Sequence, residues 1–184
     1  SCNRTCRVSV HWDSLEEATG SPVRAAMDTW IFQGGHPLLT VEATGEGVSI
    51  SQRRFEYHDR DDDSKWHVPV IVRASVDGSP VERRLLLTEA DATIDLGGSP
   101  EWVVVNAGGH GFYRVRYADE LRTALSQRAL DVLEPAERYG LVDDTFAAVL
   151  AGEATAAQFI ALVTDLSAET DLGVWQRMLS GLNH

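Results

Sequence analysis

The residues of this chain best equipped for chemistry are six histidines, two cysteines and a cluster of aspartates. Zinc hydrolases set two histidines at i and i+4 on a helix. One turn then puts both imidazoles on the same face, and a glutamate between them acts as base. Here the residues four past His11, His36, His58, His67 and His110 are Leu15, Thr40, Asp62, Ile71 and Arg114, and His184 is the last residue. That spacing excludes the site. Cys2 and Cys6 offer one disulfide or two metal ligands, whereas a structural zinc takes four ligands. No second Cys/His pair stands at a useful spacing, so the two are read as a terminus without a chemical role. Asn3-Arg4-Thr5 fits a glycosylation acceptor and is read as chance.

Asp59, Asp61, Asp62 and Asp63 are the densest acidic group. Calcium takes several carboxylate oxygens, but an EF-hand loop turns on glycine at its sixth position and ends on glutamate. Ser64 stands at that sixth position and no glutamate ends the loop, so a solvated hairpin tip is expected. Gly97-Gly98-Ser99-Pro100-Glu101 fails the G-x-S-x-G elbow at its last position. Gly108-Gly109-His110-Gly111 precedes a strand and is read as a turn, not a phosphate loop. Asp143-Asp144 is assigned to a helix start, where the helix dipole favours acidic groups. Trp30 and Trp175, two of five tryptophans, fall on apolar helical stripes and are assigned to packing. No residue is assigned as catalytic, cofactor-binding or metal-ligating.

The composition sets the class. With 184 residues and 43% apolar content the chain can build a core. Its formal charge of −12 repels nucleic acid and anionic membrane alike. There is neither a run of about 18 apolar residues nor a signal-peptide core, so a cytoplasmic location is expected.

Three kinds of element must carry whatever the chain does. Leu15 to Ala18 reads as a helix end closed by Gly20. Ser21-Pro22 offers an N-cap and a first-turn proline for a second helix. Val23, Met27, Trp30 and Ile31 form its apolar stripe, and Gly34-Gly35 ends it. Short β runs follow at Pro37–Thr44, Gly47–Phe55, His67–Val76, Val81–Thr88, Ala92–Leu96, Trp102–Asn106 and Phe112–Tyr117. Asp77-Gly78 has hairpin-turn chemistry. Tyr113, Val115 and Tyr117 share one face of the last run. About seven turn-punctuated strands predict an antiparallel sandwich. From Asp119 the period becomes helical. Leu121 and Leu125 mark one helix, and Val142, Phe146, Val149 and Leu150 a second. Thr155 and Gln158 form a capping box before Phe159, Leu162, Val163 and Leu166. Leu172, Trp175, Met178, Leu179 and Leu182 complete the set, and short links imply antiparallel stacking.

These residues also carry a resemblance. Trp12-Asp13-Ser14-Leu15-Glu16-Glu17-Ala18-Thr19-Gly20, Pro22-Val23 and Met27-Asp28-Thr29-Trp30 resemble the end of the catalytic domain of aminopeptidase N-like gluzincins. His36 to Val41, Ser51 to Phe55 and Trp66-His67-Val68-Pro69-Val70 resemble strands of the sandwich that follows there. Asn106 to Tyr117 resembles the family's N…G-[FY]-Y-R-V-x-Y signature. Gly140-Leu141-Val142-Asp143-Asp144-Thr145-Phe146 resembles the opening of its C-terminal helical domain. The likeness runs from about Trp12 to the end, and residues 1–11 depart from it.

The resemblance implies an α+β chain in three parts. These are tail helices of a missing catalytic domain (1–34), a β-sandwich of about seven strands (35–117) and the first stacked helices of a C-terminal domain (118–184). It implies a non-catalytic piece of a zinc aminopeptidase that removes N-terminal amino acids from peptides. Zinc and its H-E-x-x-H helix, and the G-x-M-E-N loop that binds the substrate amine, belong upstream and have no counterpart here. The partners implied are the parent's other domains, with self-association through the uncovered helix faces. The alternative is a free-standing interaction or carbohydrate-binding sandwich, which needs exposed aromatics on one sheet face.

Overall fold

The computed structural model describes residues 12–18, 20, 22–57 and 64–184. Cys2, Cys6, His11, Ser21, His58 and the Asp59–Asp63 group lie outside them. Helix α1 (12–18) ends as expected: Gly20, at φ 66°, donates its N–H to the Glu16 carbonyl at 2.8 Å. Helix α2 is Val23–Ile31, so its N-cap falls on Pro22, one residue later than the Ser21 expected.

Among the described residues seven strands follow: β1 Pro37–Thr44, β2 Gly47–Arg54, β3 Val68–Val76, β4 Ser79–Leu87, β5 Asp91–Asp95, β6 Trp102–Val105 and β7 Arg114–Tyr117. They form a four-stranded sheet, β5-β2-β1-β7, and a three-stranded sheet, β4-β3-β6. The hairpin turn at Asp77-Gly78 has φ of 49° and 72°, the left-handed pair that matches strand twist. Alternation places Val68, Val70 and Val72 inward from one sheet, opposite Leu39, Val41, Val48 and Ile50 from the other, and all seven are essentially fully buried. Each such side chain contributes about 1.5–3 kcal/mol on burial.

The ladders are antiparallel with one exception: β7 pairs in parallel with β1, Leu38 opposite Arg114 through Val41 opposite Tyr117. Strand periodicity gives no information on pairing direction, so the sequence did not disclose this. Strands β6 and β7 are each at the edge of their sheet, and they lie at the same side of the sandwich, since Tyr117 of β7 bonds Val105 of β6 and one helix packs on both.

Helices close that side. They are α3 Asp119–Ser126, α4 Ala129–Val132, α5 Pro135–Leu150, α6 Ala156–Asp165 and α7 Leu172–Leu182. Helix α3 packs on β6 and β7, α5 on β7, and α6 and α7 on α5. On the outer face of β1, Leu38 packs with Phe55 and with Ala147 of α5. The capping box opens α6: the Gln158 N–H donates to Thr155 Oγ1 at 3.2 Å and the Thr155 N–H to Gln158 Oε1 at 2.7 Å. The apolar stripe of α7 divides. Val174 and Met178 are fully buried, whereas Leu172, Leu179 and Leu182 are exposed.

Candidate functional site

The histidines are dispersed. His36 lies between the Phe55 and Phe112 rings, at centroid distances of 5.4 and 5.7 Å. Burial, then the charge of Arg114, push its pKa below the ordinary value. His67 works through its backbone, accepting from Trp30 Nε1 at 3.0 Å and donating to Thr29 Oγ1 at 3.1 Å. His184 lies beside Phe146, and His110 lies in the 106–111 turn. Among the described residues no group of three or more His, Cys, Asp or Glu side chains is placed to hold a metal ion.

The 106–111 segment is a turn, as read. Asn106 and Gly108 and Gly109 all have positive φ. The Asn106 side chain closes the turn by accepting the Gly111 N–H at 2.7 Å and donating to its carbonyl at 3.1 Å. Glu137 anchors it from α5, accepting the Gly108 N–H at 2.8 Å while pairing with Arg73 of β3 at 2.7 Å.

The chemically richest group lies where β7 meets α5. Arg114 Nη1 donates to Asp143 Oδ2 at 2.6 Å and to Asp144 Oδ1 at 2.9 Å. The Val115 N–H, on the open edge of β7, donates to Asp144 Oδ2 at 2.9 Å. Arg177 of α7 donates to Asp143 Oδ1 at 2.6 Å. Two carboxylates and two guanidiniums thus link the sheet, α5 and α7. The guanidiniums also stack on rings, Arg114 over Phe55 at 5.0 Å and Arg177 over Phe146 at 4.5 Å.

This corrects the assignment of Asp143-Asp144 to a helix start. Helix α5 begins at Pro135, so both aspartates lie in its middle, where the terminal dipole has faded. What retains them is pairing. Burial tends to raise the Asp143 pKa, but hydrogen bonds from Arg114 and Arg177 outweigh it and hold the carboxyl below its ordinary value. For Asp144 burial wins: it pushes the carboxyl up to about 7, against the Val115 and Arg114 bonds. A shifted carboxyl beside a cavity of about 300 Å³ is a candidate base. Both Asp144 oxygens already hold protein donors, however, so the arrangement joins elements of the fold.

Two motifs noted separately in the sequence meet here: Arg114 and Val115 come from one, Asp143 and Asp144 from the other. Their likeness to known proteins is consistent along the chain. A family model described as ERAP1-like C-terminal domain matches residues 102–184. Among curated proteins, the puromycin-sensitive aminopeptidase of Caenorhabditis elegans is 34% identical over 94% of this chain. Aminopeptidase M1 of Arabidopsis thaliana is 27% identical over 92% of it, and endoplasmic reticulum aminopeptidase 2 of Bos taurus 31% over 88%. Nearly the whole chain is thus similar in sequence to aminopeptidases, and residues 102–184 match the ERAP1-like C-terminal domain. It spans about a fifth of the length of these relatives, covering 19%, 21% and 18% of them respectively. In this aminopeptidase N-like chain the family-model match begins at the first residue of β6, so it takes in the two strands on which the helices pack. Among the described residues no helix is long and apolar enough to cross a membrane.

Proposed function

We propose that the chain is a structural, non-catalytic segment of a zinc aminopeptidase whose complete form removes N-terminal amino acids from peptides. The observation that carries this reading is a match that spans 94% of the chain at 34% identity and covers 19% of an aminopeptidase's length. In this reading residues 1–34 are tail helices of the catalytic domain, 35–117 the sandwich and 118–184 the first helices of the C-terminal domain. The Arg114–Asp143–Asp144–Arg177 group holds the sandwich and helices at a set angle. Zinc and peptide substrate belong to the other domains, and no chemical step runs through the residues described here. The location is cytoplasmic, and the charge of −12 leaves nucleic acid and anionic membrane outside the partner set. The free-standing sugar-binding reading draws less support, because Tyr113, Tyr117 and Trp66 on and beside the strands are buried.

The test is a comparison of the isolated chain with the longest product of its gene. Zinc content after dialysis and hydrolysis of an aminoacyl chromogenic substrate are measured for both. The expected result is an inactive, zinc-free chain and an active longer product with one zinc, encoding H-E-x-x-H ahead of Trp12. Stoichiometric zinc or turnover by the isolated chain would overturn the reading.

A further inference from the structure

We infer that Asp144 is a proton-operated latch between the sandwich and the helices: ionised, it grips both β7 donors, and protonated, it lets Arg114 go and slackens the join. The geometry is that of a latch. One carboxylate in the middle of α5 accepts a main-chain N–H from an edge strand and a guanidinium N–H from the residue before it. An open-edge N–H has no ladder partner of its own, and here its partner is a side chain that can change charge. Cavities of about 300 and 260 Å³ adjoin Asp144 on two sides, one bordered by His36 and Tyr113 and the other by Thr40 and Arg116, so solvent has room to enter when the grip loosens.

The surroundings favour a proton at Asp144 over its neighbours. On α5, Asp143 is held ionised by Arg114 and Arg177, and its negative charge works against a second one beside it. From β7 come the positive charge of Arg114 and the phenols of Tyr113 and Tyr117, both kept neutral by burial. From the start of β1 comes His36, which burial and Arg114 bias to the neutral form. Arg177 of α7 is taken up by Asp143, and Glu153 by Arg53 and Arg116. From α3, Arg122 and Asp119 border the second cavity and pair with each other at 3.3 Å, and Glu137 of α5 borders the first and is taken up by Arg73. Arg114 is thus the counter-charge in direct contact with Asp144, and it is shared with Asp143. Burial is the largest cause of the rise of the Asp144 carboxyl to about 7; the Val115 N–H and Arg114 offset it only in part and the charge of Asp143 adds a little, which puts the change inside the physiological range. Once neutral, the carboxyl accepts the Val115 N–H more weakly and has no charge for Arg114, which keeps Asp143.

Native-state hydrogen exchange at Val115, corrected for intrinsic rate, tests this between pH 6 and 8.5. Protection is expected to rise about tenfold across neutrality, the difference between a charge-assisted and a neutral hydrogen bond. Protection of Val72, deep in the other sheet, should stay level. Asp144→Asn, neutral at every pH, should abolish the rise. A flat Val115 profile in the natural chain, or the same rise in the Asn variant, overturns the proposal. Should that variant not fold, the Asp144 carboxyl ¹³C shift in the natural chain decides. A midpoint between pH 6 and 8, lowered in Asp143→Asn, supports the latch, and a midpoint outside that range overturns it.

Discussion

The Tyr117 hydroxyl reaches from β7 across the sandwich to Val105 of β6, accepting its N–H at 2.8 Å and donating to its carbonyl at 3.3 Å. One phenol thus satisfies both main-chain groups of a residue on the opposite sheet. Burial raises its pKa well above that of a free tyrosine, so it stays a donor throughout the working range. Tyr117→Phe leaves both Val105 groups buried and unpaired, at a cost of about 1–3 kcal/mol. Urea unfolding, followed by tryptophan fluorescence, should show that loss in midpoint with an unchanged slope.

Gly47 opens β2 where the backbone of β5 comes closest. A Cβ there would stand 2.0 Å from the Ile94 carbonyl oxygen and 2.9 Å from the Leu96 nitrogen. Both are main-chain atoms, so neither can rotate away. Gly47→Ala is expected to cost about 1–3 kcal/mol through overpacking. Gly45→Ala two residues earlier, where nothing stands within 4 Å, is the matched control and should cost far less.

Glu169 and Arg138 form a buried pair, with Arg138 Nη2 donating to Glu169 Oε1 at 3.0 Å and Nε to Oε2. The Arg138 hydrogen bond, aided by the N–H groups of Asp171 and Thr170, lowers the Glu169 pKa from 4.5 to about 2. The folded value lies below the unfolded one, so the pair stabilises fully above about pH 4.5. That contribution is lost as pH falls toward 2. Glu169→Gln should cost about 3–5 kcal/mol at pH 7, since it leaves Arg138 buried without its counter-charge. The gap from the natural chain should narrow in acid-unfolding curves between pH 4.5 and 2.

Among the described residues, helix α2 meets the sandwich chiefly through Trp30 and Thr29 on His67 and through the Trp30 ring beside Trp66 and Phe112, each at 6.3 Å between centroids, and just past its end Gln33 Nε2 donates to the Lys65 carbonyl at 2.7 Å. None of its residues is fully buried. Trp30→Ala should free it while the sandwich stays folded. Trypsin cleavage after Arg24 is then expected to accelerate about tenfold, the equivalent of 1.4 kcal/mol. An unchanged rate would show that the other contacts suffice.

Leu172, at 71% exposure, and Leu179 and Leu182, at 49% each, form an open apolar face on α7. Leaving such surface in water is unfavourable at about 25 cal/mol per Å². Self-association through it is expected, more so at high salt, because screening weakens repulsion between chains of charge −12. Sedimentation equilibrium should show a dimer that Leu179→Glu abolishes without loss of stability. A strict monomer at all concentrations would show that the face remains uncovered.

The strands were largely legible because turn residues and alternation fix each one locally. Pro37–Thr44 matches residue for residue, and the others differ from expectation by one or two positions at their ends. Tyr113, Val115 and Tyr117 lie inward, while Phe112, at 73% exposure, faces out. The junction was not legible. The start of α5 was placed too late, although Glu134-Pro135 with Glu137 carries the signal of a helix N-terminus, and the Glu134 N–H does donate to Glu137 at 2.8 Å. With the start misplaced, Asp143-Asp144 passed for a dipole effect. Arg114 and the aspartates are about thirty residues apart, and no local periodicity relates them. The division of the α7 stripe was also hidden. Val174, Met178 and the leucines make that helix apolar on more than one side, so pattern alone cannot select the buried face.

The parallel β1–β7 pair sets a timetable. Leu38 and its partner Arg114 are 76 positions apart, so β1 must wait for five other strands before its outer edge is covered. On a ribosome adding about 5–20 residues per second, that edge stands open for roughly 4–15 s. During that time the unpaired groups of β1 can recruit a strand from another nascent chain. The window closes only when β7 emerges and, behind it, α5 brings Asp144 to the Val115 amide.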